Sequence, residues 1–246
     1  MKNKKIGLSI IALIIVLIIG GFLAFGYYQK ATYNLKRPLV SMEIEGYGVI
    51  KMELYPDQAP NTVKNFIKLI NEGYYNGLTF HMIEESLIQG GDKAGDGTGT
   101  TELSIKGEFL ENGYENTLKF ERGTLALYRN DYTDYSYLDP NLLEEGYNSG
   151  YAQFFILAQD KTTLEGYYTA FGKVIEGIEI VDELTKIETV VETNEETGET
   201  TETTKPVNAP VIKSISVDTF GEKYSEPKTQ KTFDINQWFM NLYGIS

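Results

Sequence analysis

The chain has 246 residues, enough for one ordinary domain with appendages and a sizeable core. Acidic residues outnumber basic ones, 35 to 22, giving a formal charge of -13; clustered Lys and Arg for a phosphate backbone are missing, so nucleic acid is not expected as a partner. There is no cysteine, which rules out a disulfide framework, a thiolate nucleophile, a sulfur metal site and a lipid anchor on an N-terminal Cys.

Lys2, Lys4 and Lys5 precede an uncharged apolar run from Ile6 to about Tyr28. At 1.5 Å per residue such a helix covers a hydrocarbon layer of roughly 30 Å. The run is longer than the apolar core of a cleaved signal peptide, and the bulky Phe25-Gly26-Tyr27-Tyr28 that ends it suits no small-residue cleavage site. Residues 1–28 therefore read as a cytoplasmic N-terminus and uncleaved transmembrane signal anchor. The lysines place the remainder on the extracytoplasmic side, although Lys30, Lys36 and Arg37 reduce the charge asymmetry. The expected location is the cell membrane, crossed once.

Residues 29–38 form a tether ending at Pro38. Val40, Met42 and Ile44 then alternate with polar neighbours, Gly46-Tyr47-Gly48 turns the chain, and Ile50, Met52 and Leu54 resume the alternation, so 39–55 reads as a hairpin. Pro60 suits a first helical turn, Val63, Phe66, Ile67 and Ile70 make one apolar stripe, and Gly73 suits the left-handed position after the helix. Strand-like runs follow at 78–83, 86–90, 118–128, 153–158 and 168–174, then a helix near 177–185 and a last strand at 211–217. Many short strands with two helices predict a mainly β architecture, a closed or nearly closed barrel capped by helices. The Thr/Glu alternation at 189–205 fits a protruding hairpin or a disordered acidic loop, the hairpin slightly the better of the two. In the extension 221–246, Asp234 as N-cap, Gln237 at the third helical position and Phe233 against Trp238 predict a capping box with a hydrophobic staple, and so a short terminal helix.

Two tempting motifs fall away. The run Gly90-Gly91-Asp92-Lys93-Ala94-Gly95-Asp96-Gly97 lacks the Gly-Lys-Ser/Thr ending of a phosphate loop. Asp92 and Asp96 also lack the spacing of a calcium loop. His81, the sole histidine, sits among aromatic and apolar residues and reads as structural.

Over about 39–218 the chain resembles the cyclophilin family of peptidyl-prolyl cis-trans isomerases. The resemblance rests on an ordered series: Glu53 to Pro60, Thr62-Val63, Asn65-Phe66 and Gly73-Tyr74-Tyr75, then Phe80-His81, Ile88 to Asp92, and Gly97-Thr98-Gly99. Gly107-Glu108-Phe109, Arg122 to Leu125, Gln153 to Ile156 and Phe171 to Val174 complete it in the family's order. It implies a domain at 39–220, with insertions at about 130–148 and 189–205. Its fold would be a closed eight-stranded antiparallel barrel capped by two helices, with a groove for proline-containing peptides on the outer wall. It also implies isomerisation about X–Pro bonds, a reaction needing neither metal nor cofactor. The amide must lose its resonance, against a barrier of ~18–20 kcal/mol, so a surface fitting the twisted form suffices.

Carried over residue by residue, the resemblance places Phe155, Leu87 and Leu164 around an apolar pocket, Tyr168 beside it, and Gln89 and Gln153 along the groove. On spacing alone Phe155 and Leu164 read equally as core. The departures cluster at the same place. Met82 stands where the family has the arginine thought to stabilise the twisted imide, Ser86 replaces a pocket phenylalanine, Tyr128 a small alanine, and Thr163 the tryptophan of cyclosporin-sensitive relatives. Arg129 is the nearest cation to replace the missing one. The expected activity is an extracytoplasmic prolyl isomerase of reduced or altered rate acting on secreted or surface proteins; the alternative is a proline-peptide-binding or chaperone module without catalysis. The tyrosine-rich, acidic insertion Asp131 to Tyr137 would either fold over the groove or remain solvated.

Overall fold

The structure, a computed structural model, describes residues 18–23, 36–99, 101–193 and 199–244. Two compact units are separated at residues 36 and 37. In the first, residues 18–23 are helical and exposed; the rest of the expected membrane span lies outside the described residues. Among the described residues no helix is long and apolar enough to cross a membrane.

The second unit opens on the hairpin read from the sequence. Strands β1 (Leu39–Ile44) and β2 (Gly48–Leu54) pair antiparallel, and their alternate residues Val40, Met42, Ile44, Ile50, Met52 and Leu54 are buried. Helix α1 (Pro60–Asn71) starts on Pro60 and buries Val63, Phe66, Ile67, Leu69 and Ile70. Its own N-cap, Ala59, supplies no side-chain acceptor. Glu108, distant in sequence, does so instead: its carboxylate accepts from Asn61 N at 3.0 Å, Thr62 N at 2.8 Å and Thr62 Oγ1 at 2.8 Å. Gly73, at φ +70°, takes the left-handed position where a Cβ would be strained, and the chain turns off the helix.

Strands β3 (Thr79–Glu84), β4 (Leu87–Asp92), β6 (Thr124–Leu127), β7 (Phe154–Leu157), β8 (Thr169–Glu176) and β11 (Ile212–Asp218) complete an eight-stranded antiparallel sheet, ordered β11-β1-β2-β8-β6-β7-β4-β3. The sheet curls. Its two edges meet where Thr79 bridges Val211, flanked by Phe80 N–H to Pro210 O at 2.9 Å and Ile212 N–H to Leu78 O at 2.8 Å. Helix α1 packs on β8 and β11, and α3 (Ile178–Leu184) on β2 and β4. Between them lies an aromatic core in which Phe66 meets Phe154, Phe171 and Tyr75 at ring-centroid distances of 5.7, 5.1 and 5.2 Å.

Several expectations need correction. The strand expected over 118–128 is confined to Thr124–Leu127, because Gly123 at φ +89° and the Thr124 N–H to Glu121 O bond make a turn just before it. The insertion is ordered and contains helix α2 (Asn141–Tyr147), with Leu142 and Tyr132 buried. Strands β9 (Thr189–Thr193) and β10 (Thr200–Pro206) pair as the expected hairpin, whose tip, 194–198, lies outside the described residues. Two further short strands, β5 (Leu103–Ser104) and β12 (Gln230–Lys231), pair and tie the C-terminal extension to the domain. Its helix α4 (Ile235–Tyr243) is capped by Asp234, which accepts from Gln237 N at 3.0 Å. The capping box is one-sided, however: the Gln237 side chain reaches forward to Asn241, and Phe233 meets Tyr132 with centroids 6.0 Å apart. The extension's aromatic ring finds a partner on the insertion where a local staple with Trp238 was expected.

Because Glu108 alone satisfies the first amides of α1, Glu108→Ala leaves them without an acceptor in a buried setting. The expected loss is about 2 kcal/mol, read from urea unfolding midpoints; a loss below about 0.5 kcal/mol would show that water replaces the carboxylate.

Candidate active site

Strand β7 places the site. Successive side chains of a strand point to opposite faces, and both faces of β7 are covered. Phe154 and Ile156 enter the main core between the helices, whereas Phe155 and Leu157 enter a second apolar cluster with Leu87, Phe120, Ala126 and Ala170. Met82, Leu118, Tyr128, Leu164 and Tyr168 pack onto this second cluster and are only partly buried. Phe155, Leu87, Leu164, Tyr168, Met82 and Tyr128 therefore converge on the face of the sheet away from its core. Phe155 forms the floor and is 3% exposed, edge-on to Tyr168 at 5.6 Å and above Phe120 at 6.5 Å. Phe120 falls in the run 118–128 read as a strand but precedes the strand that forms, and only the fold reveals its place beneath Phe155.

Beside this floor runs a polar chain. Gln89, opposite Phe155 in the β4–β7 ladder, donates Nε2–H to Gln153 Oε1 at 3.0 Å, and Gln153 Nε2 donates to Gly97 O at 3.2 Å. Gln89 Nε2 also lies 3.3 Å from His81 Nε2. The Gln89 amide donates there to an unprotonated ring nitrogen, and His81 Nδ1 is buried without a partner among the described residues. Burial lowers the His81 pKa from its ordinary 6.5, against a smaller opposing pull from Asp92 and Asp96. His81 is a structural acceptor that orients Gln89. Gly91 lets the end of β4 pack against the chain leading into β7: a Cβ there would lie 2.5 Å from Ala152 O.

Of the positions that depart from the family pattern, Met82 belongs to this cluster, whereas Ser86, Thr163 and Arg129 are placed differently. Met82 lies opposite Gln89 in the β3–β4 ladder and contributes no charged donor. Ser86 sits in the β3–β4 turn, its carbonyl accepting from Ala158 N at 2.8 Å. Thr163 is exposed on a short 3-10 turn that also carries Leu164. Arg129, expected as a replacement cation, is committed elsewhere. It is 5% exposed, donates from Nε to Tyr167 O at 2.9 Å and from Nη1 to Asn130 O at 2.8 Å, and lies over the rings of Tyr168 at 4.7 Å and Tyr147 at 5.0 Å. Nε and Nη1 are thus held by backbone carbonyls, Asp131 Oδ1 lies 3.8 Å from Nη1, and the guanidinium links Tyr168 to the insertion. Burial raises the phenol pKa values of Tyr128 and Tyr168 above 10, so both carry neutral hydroxyls at physiological pH. Among the described residues no group of three or more His, Asp or Glu side chains is placed to hold a metal ion.

The depressed His81 pKa has a defined sign. The unfolded chain takes up the imidazole proton at higher pH than the folded one, so stability is full above about pH 6.5 and falls as pH drops towards the folded-state value. His81→Gln is expected to flatten that part of the curve of unfolding free energy against pH; an unchanged slope would remove His81 from this role.

Comparison with known proteins agrees with the geometry. Residues 39–217 match the family described as cyclophilin type peptidyl-prolyl cis-trans isomerase/CLD. Peptidyl-prolyl cis-trans isomerase B of Bacillus subtilis is 36% identical over 143 residues, which are 58% of this chain and 87% of that one. Isomerase CYP18-1 of Arabidopsis thaliana is 37% identical over 58% of this chain and 79% of its own. Among solved structures, a cyclophilin type isomerase of Cryptosporidium parvum, crystallised in the presence of the dipeptide Ala-Pro, superposes with a TM-score of 0.56 at 28% identity, covering 73% of this chain and 98% of that one. Matched across 39–217, with an apolar cluster around Phe155 on the sheet face away from its main core and the paired glutamines Gln89 and Gln153 beside it, the chain belongs to the cyclophilin-type peptidyl-prolyl cis-trans isomerases.

Proposed function

We propose that this isomerase acts on X–Pro bonds of secreted or surface proteins, outside the membrane that residues 6–28 would cross, and turns over more slowly than relatives that keep the family arginine. The observation that carries the reading is the outward cluster around Phe155 with the Gln89–Gln153 pair on its edge. The location is supported by the uncharged run from Ile6 to Tyr28 behind three lysines. We further infer that the eight-stranded sheet acts as a closed barrel, joined through Thr79 and Val211, so that the groove's apolar floor is held rigidly.

Chemically the site has one task. The proline ring rests against Phe155, Leu87, Leu164 and Tyr168, while the preceding carbonyl turns out of the amide plane and loses resonance. Donors aimed at the twisted imide lower the barrier because they bind that form more strongly than either planar one. Gln153 is the groove's fixed amide, held by Gln89 and Gly97. Met82 leaves the family's cationic donor unreplaced, and methionine cannot supply a planar, charged fork. Tyr128, half-buried and packed on the same cluster, covers part of the floor and narrows the entrance.

The test is protease-coupled turnover of an Ala-Pro peptide by the full chain. The wild type is expected to show measurable but low kcat/KM, and Met82→Arg to raise it by about tenfold or more, within the ~10²–10³ attributed to one preorganised donor. Peptide binding with no turnover in either protein would overturn the reading. Tyr128→Ala is expected to lower KM by opening the pocket; a raised KM would instead make Tyr128 a substrate contact.

A further inference from the structure

The C-terminal extension lies outside the residues shared with the family, which end at 217, yet it returns to the site. Asn61 and Lys228 exchange hydrogen bonds, with Asn61 Nδ2 donating to Lys228 O at 2.9 Å and Lys228 N to Asn61 Oδ1 at 2.7 Å. Strand β12 then pairs with β5, and Thr232 N–H donates to Glu102 O at 3.0 Å. Phe233 and Phe239 end the path on Tyr132 and Tyr135 of the insertion, at 6.0 and 5.1 Å. Thr232 thereby becomes a wall of a cavity of about 280 Å³ that also includes Tyr128 and Gln153, two residues of the groove. Tyr128 packs on the cluster around Phe155 and Gln153 bonds Gln89, so the cavity adjoins that cluster through these two shared residues, and a chain extending from a proline on Phe155 in that direction meets the cavity with a neighbouring residue.

We propose that the extension makes this cavity a specificity site for a cationic side chain, lysine or arginine, close to the proline of the bound peptide. This rests on the isomerase reading above and names its substrate class. The rings of Tyr74, Tyr128 and Tyr151 line the cavity. Lys93 already holds its ammonium 4.4 Å from the centroid of Tyr74, whereas among the described residues no cation lies over Tyr128 or Tyr151. The lining carries two carboxylates, Asp92 and Glu102, against the one ammonium of Lys93. Asp92 spends Oδ2 on the backbone amides of Asp96, Gly97 and Gly99. The Glu102 carboxylate makes no hydrogen bond or ion pair among the described residues, and Thr232 Oγ1 is buried without a partner. A partly exposed cation would find an aromatic face and the spare, exposed carboxylate of Glu102 there, beside the unpartnered Thr232 hydroxyl.

The experiment compares kcat/KM of the full chain on three otherwise identical peptides with lysine, alanine or glutamate two residues before the proline. The lysine peptide is expected to lead the alanine peptide by roughly fivefold and the glutamate peptide to trail it, as a cation–π contact with a partly exposed ion would give. Glu102→Gln should reduce the lysine-to-alanine ratio, and Thr232→Trp, which fills the cavity, should abolish it. Equal turnover of all three peptides by the wild type, or an unchanged ratio in both variants, would overturn the proposal while leaving the isomerase reading intact. Should no peptide be turned over, the isomerase reading fails, and the same three peptides are compared by equilibrium binding. Preferential capture of the lysine peptide then supports the cavity's selectivity, and equal binding overturns it.

Discussion

The site depends on one strand being buried on both sides. Over Phe154–Leu157 all four residues are apolar and buried, so the alternation along β7 divides two cores and separates no core from water. Phe154 is fixed by Phe66, Tyr75 and Phe80 at centroid distances of 5.5 to 6.0 Å. With that ring anchored, a one-residue slip would drive Phe155 into the helix-covered core and expel Phe154. The outward placement of Phe155 is therefore enforced by the packing of its neighbour. The Tyr75 hydroxyl adds to this by donating to Ala152 O at 3.0 Å, immediately before Gln153.

Upon that rigid wall the chain has placed two additions that meet each other. The insertion after Arg129 folds into α2 and returns through Tyr147, whose ring faces both Phe109 and the Arg129 guanidinium. The C-terminal extension bonds to Asn61 of α1, pairs with β5 and sets its rings tilted or edge-on against the insertion's tyrosines. Each is short and could bury little apolar surface alone. Together they share an aromatic contact beside the groove, which explains why two segments remote in sequence are both rich in aromatic residues.

Much of this was legible in the sequence where the signal was local. The hairpin at 39–55, the stripe of α1 and the left-handed Gly73 each follow from periodicity and turn chemistry within a few residues. Periodicity could not tell whether Phe155 faces the core or a groove, since a strand buried on both faces shows no polar alternation; only the ordered resemblance decided it. Sequence spacing singled out Arg129 as the nearest replacement cation but could not show its partners, the carbonyls of Tyr167 and Asn130 and the rings of Tyr147 and Tyr168, which tertiary folding brings together. Glu108 as a cap for α1, the β5–β12 pair and Thr232 at the cavity wall were unreadable for the same reason. Phe233 shows the limit most directly: local spacing matched a staple to Trp238, but Tyr132 offered a better-placed ring.

The central claim is that a proline ring sits against Phe155 on the outer face of the sheet. Intermolecular nuclear Overhauser effects between the ring protons of a bound Ala-Pro peptide and the protein measure this directly. Contacts from the proline to the rings of Phe155 and Tyr168 and the methyls of Leu164 are the result the geometry requires; proline contacts confined to other surfaces, with these three silent, would contradict it.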